Sequence, residues 1–379
     1  MRHQRYNRSF QFVKEPMDFN KYTPRDILQY CLGATMYMPG HKDFAEKIIN
    51  REYPGLTSMV LCFEDACRED LVPEAEINSI NLLDRLCNEL ENGNLKYEDV
   101  PLIFFRVRNV EQFKHFSEML KPEHMKLVTG MNFPKFNSGN AREYLEHLAY
   151  LNEKFGEVVY GMPILEDYNI AYVETRVDEL IRIKNIVDDF KDLILNIRVG
   201  GTDFSSCFGV RRGIAYTIYD VMTVRGCLAD ILNVFTRGNA YSVSGPVWEY
   251  FRVSKNKKFD HLDATIHENL VKYTPIVNDA VDGLLRELVL DKANGFMGKT
   301  IIHPTHLNYV NGMMAVTREE YEDAYQILNA KGGVVKSANS NKMNEIGPHK
   351  SWAEKIVARG DVYGVIEEEM DYVKLFLEV

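Results

Sequence analysis

Short apolar runs rich in β-formers recur along the chain, each followed by a longer stretch in which apolar residues return every three or four positions. This alternation constrains the fold more than any other feature, because a strand, a crossover helix and a second parallel strand form one repeating unit. The runs are Ala34 to Met38, Ser58 to Phe63, Pro101 to Val107, Met125 to Thr129, Val158 to Ile164, Leu193 to Val199, Tyr241 to Ser244 and Thr300 to His303. Ser58-Met-Val-Leu-Cys-Phe63 is apolar at consecutive positions, as a parallel strand covered on both faces must be. Glu74 to Leu90, Ala141 to Lys154 and Val173 to Phe190 carry helical spacing over enough length to cross back over a sheet. The pattern predicts an α/β fold, a (β/α)8 TIM barrel; a doubly wound open sheet shares the same alternation.

The flanks read differently. Residues 1–22 are polar and are expected to lie at the periphery. Thr23-Pro-Arg-Asp26 then offers an N-cap hydroxyl, a proline at the first helical position and an acid in the first turn, which predicts a short N-terminal helix. The barrel is assigned to residues 23–316, with an insertion around 251–291 that holds the basic run Lys255-Asn-Lys-Lys258. Residues 317–379 form a C-terminal helical extension. Its first helix starts at the capping box Thr317-Arg-Glu-Glu320 and stops at Gly332-Gly333, and a polar stretch from Ser337 to Asn341 precedes a final helix. Such an extension can close over its own barrel as a lid or reach a neighbouring subunit.

Charge and composition narrow the partners. With 55 Asp+Glu against 45 Lys+Arg the formal charge is −10, a sign that repels nucleic-acid backbones and anionic lipid. The polar opening has no apolar core of a secretory signal, and no 18-residue apolar run follows it, so the expectation is a cytoplasmic protein without a membrane or nucleic-acid partner. The six cysteines show no C-x-x-C spacing and read as reduced thiols; Cys67 reads as a buried thiol on a crossover helix.

In a barrel the reactive side chains follow the C-terminal ends of the strands. Those positions here hold Glu64 and Asp65, Arg106 and Arg108, Lys135, Glu166 and Asp167, Asp203 and His303. Two carboxylates on neighbouring strands beside arginines suit a hard divalent cation such as Mg²⁺ together with an anionic substrate, which makes Glu166 and Asp203 the candidate ligands. Helix N-caps and first-turn acids occupy the same places in any βα unit, and either carboxylate alone fits that reading. Arg106 could hold a substrate carboxylate or simply pair with Glu64 or Asp65. Gly200-Gly201-Thr202 would let substrate approach the backbone or would form a plain tight turn. His303 before Pro304 reads as a structural strand-end residue. Dinucleotide, P-loop, nucleophile-elbow and zincin signatures are absent.

Taken in order, these motifs resemble the HpcH/HpaI aldolase and citrate lyase superfamily, in particular its citrate lyase β-subunit and malyl-CoA lyase branch. Met36-Tyr-Met-Pro-Gly40 resembles the opening strand and turn, and Leu61-Cys-Phe-Glu-Asp-Ala66 the Glu-Asp-Ala of the second strand. Phe104-Phe-Arg-Val-Arg-Asn109 resembles the segment with the substrate-binding arginine, at Arg106, and Phe133-Pro-Lys135 the Pro-Lys of strand four. Pro163-Ile-Leu-Glu166 and Gly200-Gly-Thr-Asp203 resemble the two segments that supply metal-binding carboxylates, and Gly298-Lys-Thr-Ile-Ile-His-Pro304 a further family element. In the tail, Asn341-Lys-Met-Asn-Glu345 followed by Ala353 resembles a Gly-Lys-Met-Ile-Asp segment whose Asp does acid/base work; here that position is Glu345. The expanded spacings mark a divergent branch, similar to the carbon-carbon lyases of bacterial tellurite-resistance and stress clusters.

The resemblance implies a Mg²⁺-dependent lyase that cleaves or forms a carbon-carbon bond next to a carbonyl through an enolate, on a 2-oxo or 3-hydroxy acid or an acyl-CoA thioester. Glu166 and Asp203 would hold the metal. Arg106, Lys135, Gly200, Gly201 and Thr202 would bind substrate, with Glu64 and Asp65 orienting Arg106 and Glu345 as acid/base. It also implies a homo-oligomer, a trimer or hexamer. A CoA-independent 2-oxo-acid aldolase and a non-catalytic barrel that serves a stress-response complex are the alternatives.

Overall fold

The computed structural model describes residues 1–252, 265–271, 276–337 and 342–376. The basic run Lys255–Lys258 and Asn341 lie outside the described residues. Strands β1 (Ala34–Pro39), β2 (Ser58–Cys62), β3 (Leu102–Arg106), β4 (Val128–Phe133), β5 (Tyr160–Leu165), β6 (Arg198–Val199) and β7 (Lys299–Ile301) form one curled parallel sheet in the order β6-β5-β4-β3-β2-β1-β7. Segment 241–245 links its two edges. Val243 bridges Ile197 next to β6, and Gly245 bridges Lys299 of β7, both in parallel. The α/β barrel architecture expected from the alternation is the one found.

Every position of β2, β3, β4 and β5 is buried, which is why these strands read as unbroken apolar runs. Helices Val72–Glu91, Ala141–Phe155 and Val173–Asp189 lie within two residues of the periodic segments and put their apolar faces on the sheet. Three strand boundaries differ from expectation, and the Tyr241–Ser244 run makes only isolated bridges where an eighth strand is expected. The Met125–Thr129 run begins too early, because Pro122 opens a one-turn helix, Pro122–Met125, and β4 starts only at Val128. The Leu193–Val199 run shrinks to Arg198–Val199, since Lys191–Leu193 coils into a 3₁₀ turn. The Thr300–His303 run slips back to Lys299–Ile301, because the His303 ring accepts the Thr305 amide and turns the chain.

The N-terminal segment is not peripheral. The Met1 amine donates to Phe19 O at 2.7 Å, and buried His3 bonds Cys31 O at 2.9 Å while it stacks on Tyr363 at 4.3 Å. Burial pulls the His3 pKa down to about 3. The segment covers the chain that enters β1, where backbone groups at the strand starts need partners. The expected cap at Thr23 is absent: its hydroxyl accepts from Asn20 N at 3.0 Å, and Pro24 stands at the N-cap of helix Arg25–Leu28.

The C-terminal extension attaches at the same end. β8 (Val316–Thr317) pairs in parallel with β11 (Val365–Ile366), and Val13 N donates to Val365 O at 2.8 Å. Between them, the capping box at Thr317 and Glu320 starts helix Arg318–Asn329 as expected, and β9 (Val334–Lys336) and β10 (Met343–Glu345) form an antiparallel hairpin before helix Ile346–Tyr363. No helix among the described residues is long and apolar enough to cross a membrane.

Candidate active site

Strand register decides which turns share a rim. Pro39, Cys62, Arg106 and Asn132 stand side by side at the ends of β1 to β4, so the segments after the strands open at one end of the barrel. Arg106 is buried there, and its Nη2 alone meets Glu64 Oε2 at 2.7 Å, Glu166 Oε1 at 2.9 Å and Asp65 Oδ2 at 3.1 Å. Its Nη1 has no hydrogen-bond partner among the described residues. Burial alone would lower the guanidinium pKa, but the charges of Glu166 and Glu64 more than reverse this, so Arg106 stays cationic.

Lys135 closes the other side. It sits at φ 47°, in the left-handed region that a β-carbon disfavours, and this turn aims its backbone N–H at Glu166 Oε1, 3.0 Å away. Its Nζ pairs with Glu64 Oε1 and stands 3.7 Å from Asp65 Oδ1. For Asp65, burial pushes the pKa up, but the bond to Glu64 and the cations Arg106 and Lys135 outweigh that and hold it below the usual range.

Glu166 Oε1 is therefore fully used by Arg106 and Lys135, while Oε2 faces Asp203. Burial pushes Glu166 up to about 7; Arg106 opposes the rise and the Asp203 charge adds to it. Burial and the charge of Asp65 raise Asp203 as well. A carboxylate pair so placed lacks a positive charge on its open side. The space between the two exists because residue 200 is glycine. A Cβ there would lie 2.4 Å from Glu166 Oε2 and 3.1 Å from Asp203 Oδ2. Among the described residues no group of three or more His, Cys, Asp or Glu could hold a metal. Two carboxylates with open positions is nevertheless the donor set that Mg²⁺ takes, since it completes its octahedron with water and substrate oxygens. These residues fit the group that the sequence motifs imply.

Gly200→Ala is expected to cost about 1–3 kcal/mol and to weaken Mg²⁺ binding, because the new carbon would also lie 2.4 Å from Glu166 Cβ. At Gly201 a Cβ would meet Pro246 Cβ at 3.0 Å and nothing of the carboxylate pair, so Gly201→Ala is the control. Calorimetric Mg²⁺ titration of both variants checks this, and equal Mg²⁺ affinity in the two would refute the cradle.

The other predicted residues separate. Thr202 donates to Glu249 at 3.3 Å, and Gly201 packs on Pro246 and Ile218, so both lie beside the carboxylate pair without joining it. Arg108 reaches Phe63 O, Cys67 O and Glu69 in the turn after β2. Asp167 is the N-cap of helix Tyr168–Ala171, the role the sequence also allowed for the adjacent Glu166, which enters the cluster instead. Cys67 is buried, in the turn that precedes helix Val72–Glu91 and not on that helix. Glu345 ends β10 on an exposed hairpin and accepts no cluster contact: no hydrogen bond or ion pair among the described residues ties it to Arg106, Glu166 or Asp203. The extension of its own chain does not bury it.

Three polar residues on the barrel interior escaped the sequence reading: Tyr37, Asn132 and Arg198, which point inward from β1, β4 and β6. The available signal was an arginine within the otherwise apolar Leu195-Asn-Ile-Arg-Val199 run.

Residues 26–365 match the family described as C-C bond lyase of the TIM-barrel fold. Of solved structures, the protein CitE from Mycobacterium tuberculosis in complex with magnesium, acetoacetate and coenzyme A is similar over 87% of this chain and 98% of its own, at 16% identity and a TM-score of 0.52. The citrate lyase β subunit with oxaloacetate and magnesium from the same organism matches 74% of this chain and 95% of its own at 17% identity and a TM-score of 0.46. A Haloferax volcanii malate synthase matches 76% of this chain and 75% of its own at 12% identity and a TM-score of 0.49. No curated protein matches the sequence.

Proposed function

Because the chain belongs to the carbon-carbon bond lyases of the TIM-barrel fold, we propose that the rim cluster is a Mg²⁺-dependent site that cleaves or forms a carbon-carbon bond next to a carbonyl, on a 2-oxo acid or an acyl-CoA thioester. The observation that carries this reading is the Glu166–Asp203 pair, with Glu166 buried and Asp203 half-buried, open on one side over Gly200 and flanked by Arg106. The magnesium, acetoacetate and coenzyme A held by CitE supply its chemical context.

Glu166 and Asp203 would hold the ion, which supplies positive charge where the negative charge of an enolate develops. The Arg106 Nη1 donates to a substrate carbonyl or carboxylate oxygen, while its Nη2 is anchored by three carboxylates and cannot swing away. Glu64 and Lys135 fix that anchor, and the Lys135 backbone N–H fixes the Glu166 carboxylate. The acid/base group remains Glu345, reaching the rim from a second copy of the chain, since its own copy leaves it exposed.

Mg²⁺ titration with and without pyruvate, oxaloacetate or glyoxylate tests the reading. Glu166, with its pKa near 7, must lose a proton before it binds the ion. Affinity is therefore expected to rise about tenfold per pH unit, with roughly one proton released per ion, below about pH 7 and to level off above it. An oxo acid should tighten the binding, and Asp203→Asn should abolish it. Wild-type protein that binds neither ion nor oxo acid would leave a non-catalytic barrel. Trials with free acids against CoA thioesters then distinguish an aldolase from a CoA-dependent lyase.

A further inference from the structure

Below the cluster, the barrel interior holds a second arginine that the metal pair and Arg106 do not use. Arg198 on β6 is 1% exposed and makes no ion pair among the described residues. Its Nη2 donates to Thr300 Oγ1 at 2.6 Å and its Nη1 to Thr35 Oγ1 at 3.4 Å, while its buried Nε has no partner. A buried cation without a counter-charge is costly, and proteins keep one where its field is used. The group it faces is Tyr37, whose ring centre lies 5.4 Å from the Arg198 guanidinium carbon.

Tyr37 leaves β1 and crosses the barrel to β4, where its hydroxyl oxygen accepts the Asn132 Nδ2. Asn132 pairs in register with Arg106, so the phenol lies on the floor of the site, and unlike buried Thr35 on the same strand it is partly exposed. A tyrosine hydroxyl has one proton to give and one oxygen to accept with. Asn132 occupies the oxygen and Arg198 stands over the ring, yet no described residue accepts the proton. We propose that Tyr37 donates this hydrogen bond to the substrate oxygen that turns anionic, with Asn132 and Arg198 as the residues that position and polarise it. The inference rests on the enolate reading of the site and adds to it the donor on the side away from the metal pair. Burial raises the Tyr37 pKa despite the opposing charges of Arg198 and Arg106, so the phenol keeps its proton and acts as a donor, not a base.

Oxalate, a planar dianion shaped like the enolate of a 2-oxo acid, is the probe, titrated into the Mg²⁺-loaded full chain beside pyruvate, whose carbonyl is neutral. Tyr37→Phe is expected to weaken oxalate about 10- to 100-fold, the range for a hydrogen bond to a charged group, and pyruvate much less, with Mg²⁺ affinity unchanged. Arg198→Lys should retain most of the oxalate affinity and Arg198→Met should lose it as Tyr37→Phe does. A merely structural role would move oxalate and pyruvate together. Tyr37→Phe protein that binds oxalate within twofold of wild type overturns the inference alone. Wild-type protein that binds no oxalate in the presence of Mg²⁺ overturns it together with the enolate reading.

Discussion

Lys299→Met is expected to lose about 3–5 kcal/mol of folding stability, the cost of breaking a buried ion pair by removing one partner. Lys299 Nζ lies 2.9 Å from Glu287 Oε1 and 2.7 Å from Asp291 Oδ2, and all three side chains are wholly buried between β7 and helix Asp279–Asn294. Arg212 also pairs with Glu287, and Tyr219 donates to Asp291 Oδ1 at 2.5 Å. Without the ammonium, two buried carboxyls share one guanidinium and one phenol. Burial and the Glu287 charge already push Asp291 up to about 6 although Lys299 opposes them, so in the variant its carboxyl is expected to take up a proton at higher pH. Denaturant unfolding followed by circular dichroism measures the loss. The double variant Lys299→Met with Asp291→Asn should recover part of it, because the second change removes the carboxylate left without a cation, whereas Glu287 keeps Arg212. A single variant within about 1 kcal/mol of wild type would show that the network is not a stabilising centre.

The second large effect is at Arg106. Arg106→Met is expected to lower 2-oxo-acid affinity in the presence of Mg²⁺ by roughly 10- to 100-fold, the range for a hydrogen bond to a charged group. It removes the proposed substrate donor, and it also leaves Glu64, Asp65 and Glu166 facing one another with only Lys135 between them. Glu166 should then titrate above 7, so that Mg²⁺ binding weakens at neutral pH and recovers at higher pH. Arg106→Lys should not rescue substrate affinity, because a single ammonium cannot meet three carboxylates through one nitrogen and still offer a second to the substrate. Calorimetry at two pH values separates the two effects. Full affinity in the lysine variant would mean that Arg106 acts by charge alone.

Much of this protein was legible in its sequence, for reasons that are local. Strand and helix periods need no tertiary information, so β2, β3 and β5 and the three long crossover helices fall where the apolar spacing places them. The turns after successive parallel strands must open at one end, and this brought Glu64, Asp65, Arg106, Lys135, Glu166 and Asp203 into a single candidate group. Thr317 and Glu320 form the capping box that their spacing encodes. Where neighbours compete, local reasoning fails. Nothing in the residues at 166 and 167 says which carboxyl caps the helix and which enters the site. Gly298-Lys-Thr300 reads as one motif, yet alternation sends Lys299 outward into the ion network and Thr300 inward to Arg198.

The sequence by itself determined the architecture and the roster of charged groups at the rim, because the 2.0 and 3.6 periodicities and the βα unit are properties of short chain segments. Only the tertiary structure decided that residues 1–22 cover the strand starts, that Glu345 stands apart from the cluster in its own chain, and that Tyr37 reaches across to Asn132 above a buried Arg198. Those outcomes depend on register between strands far apart in the chain and on which groups lose water together. Neither is written in any single segment.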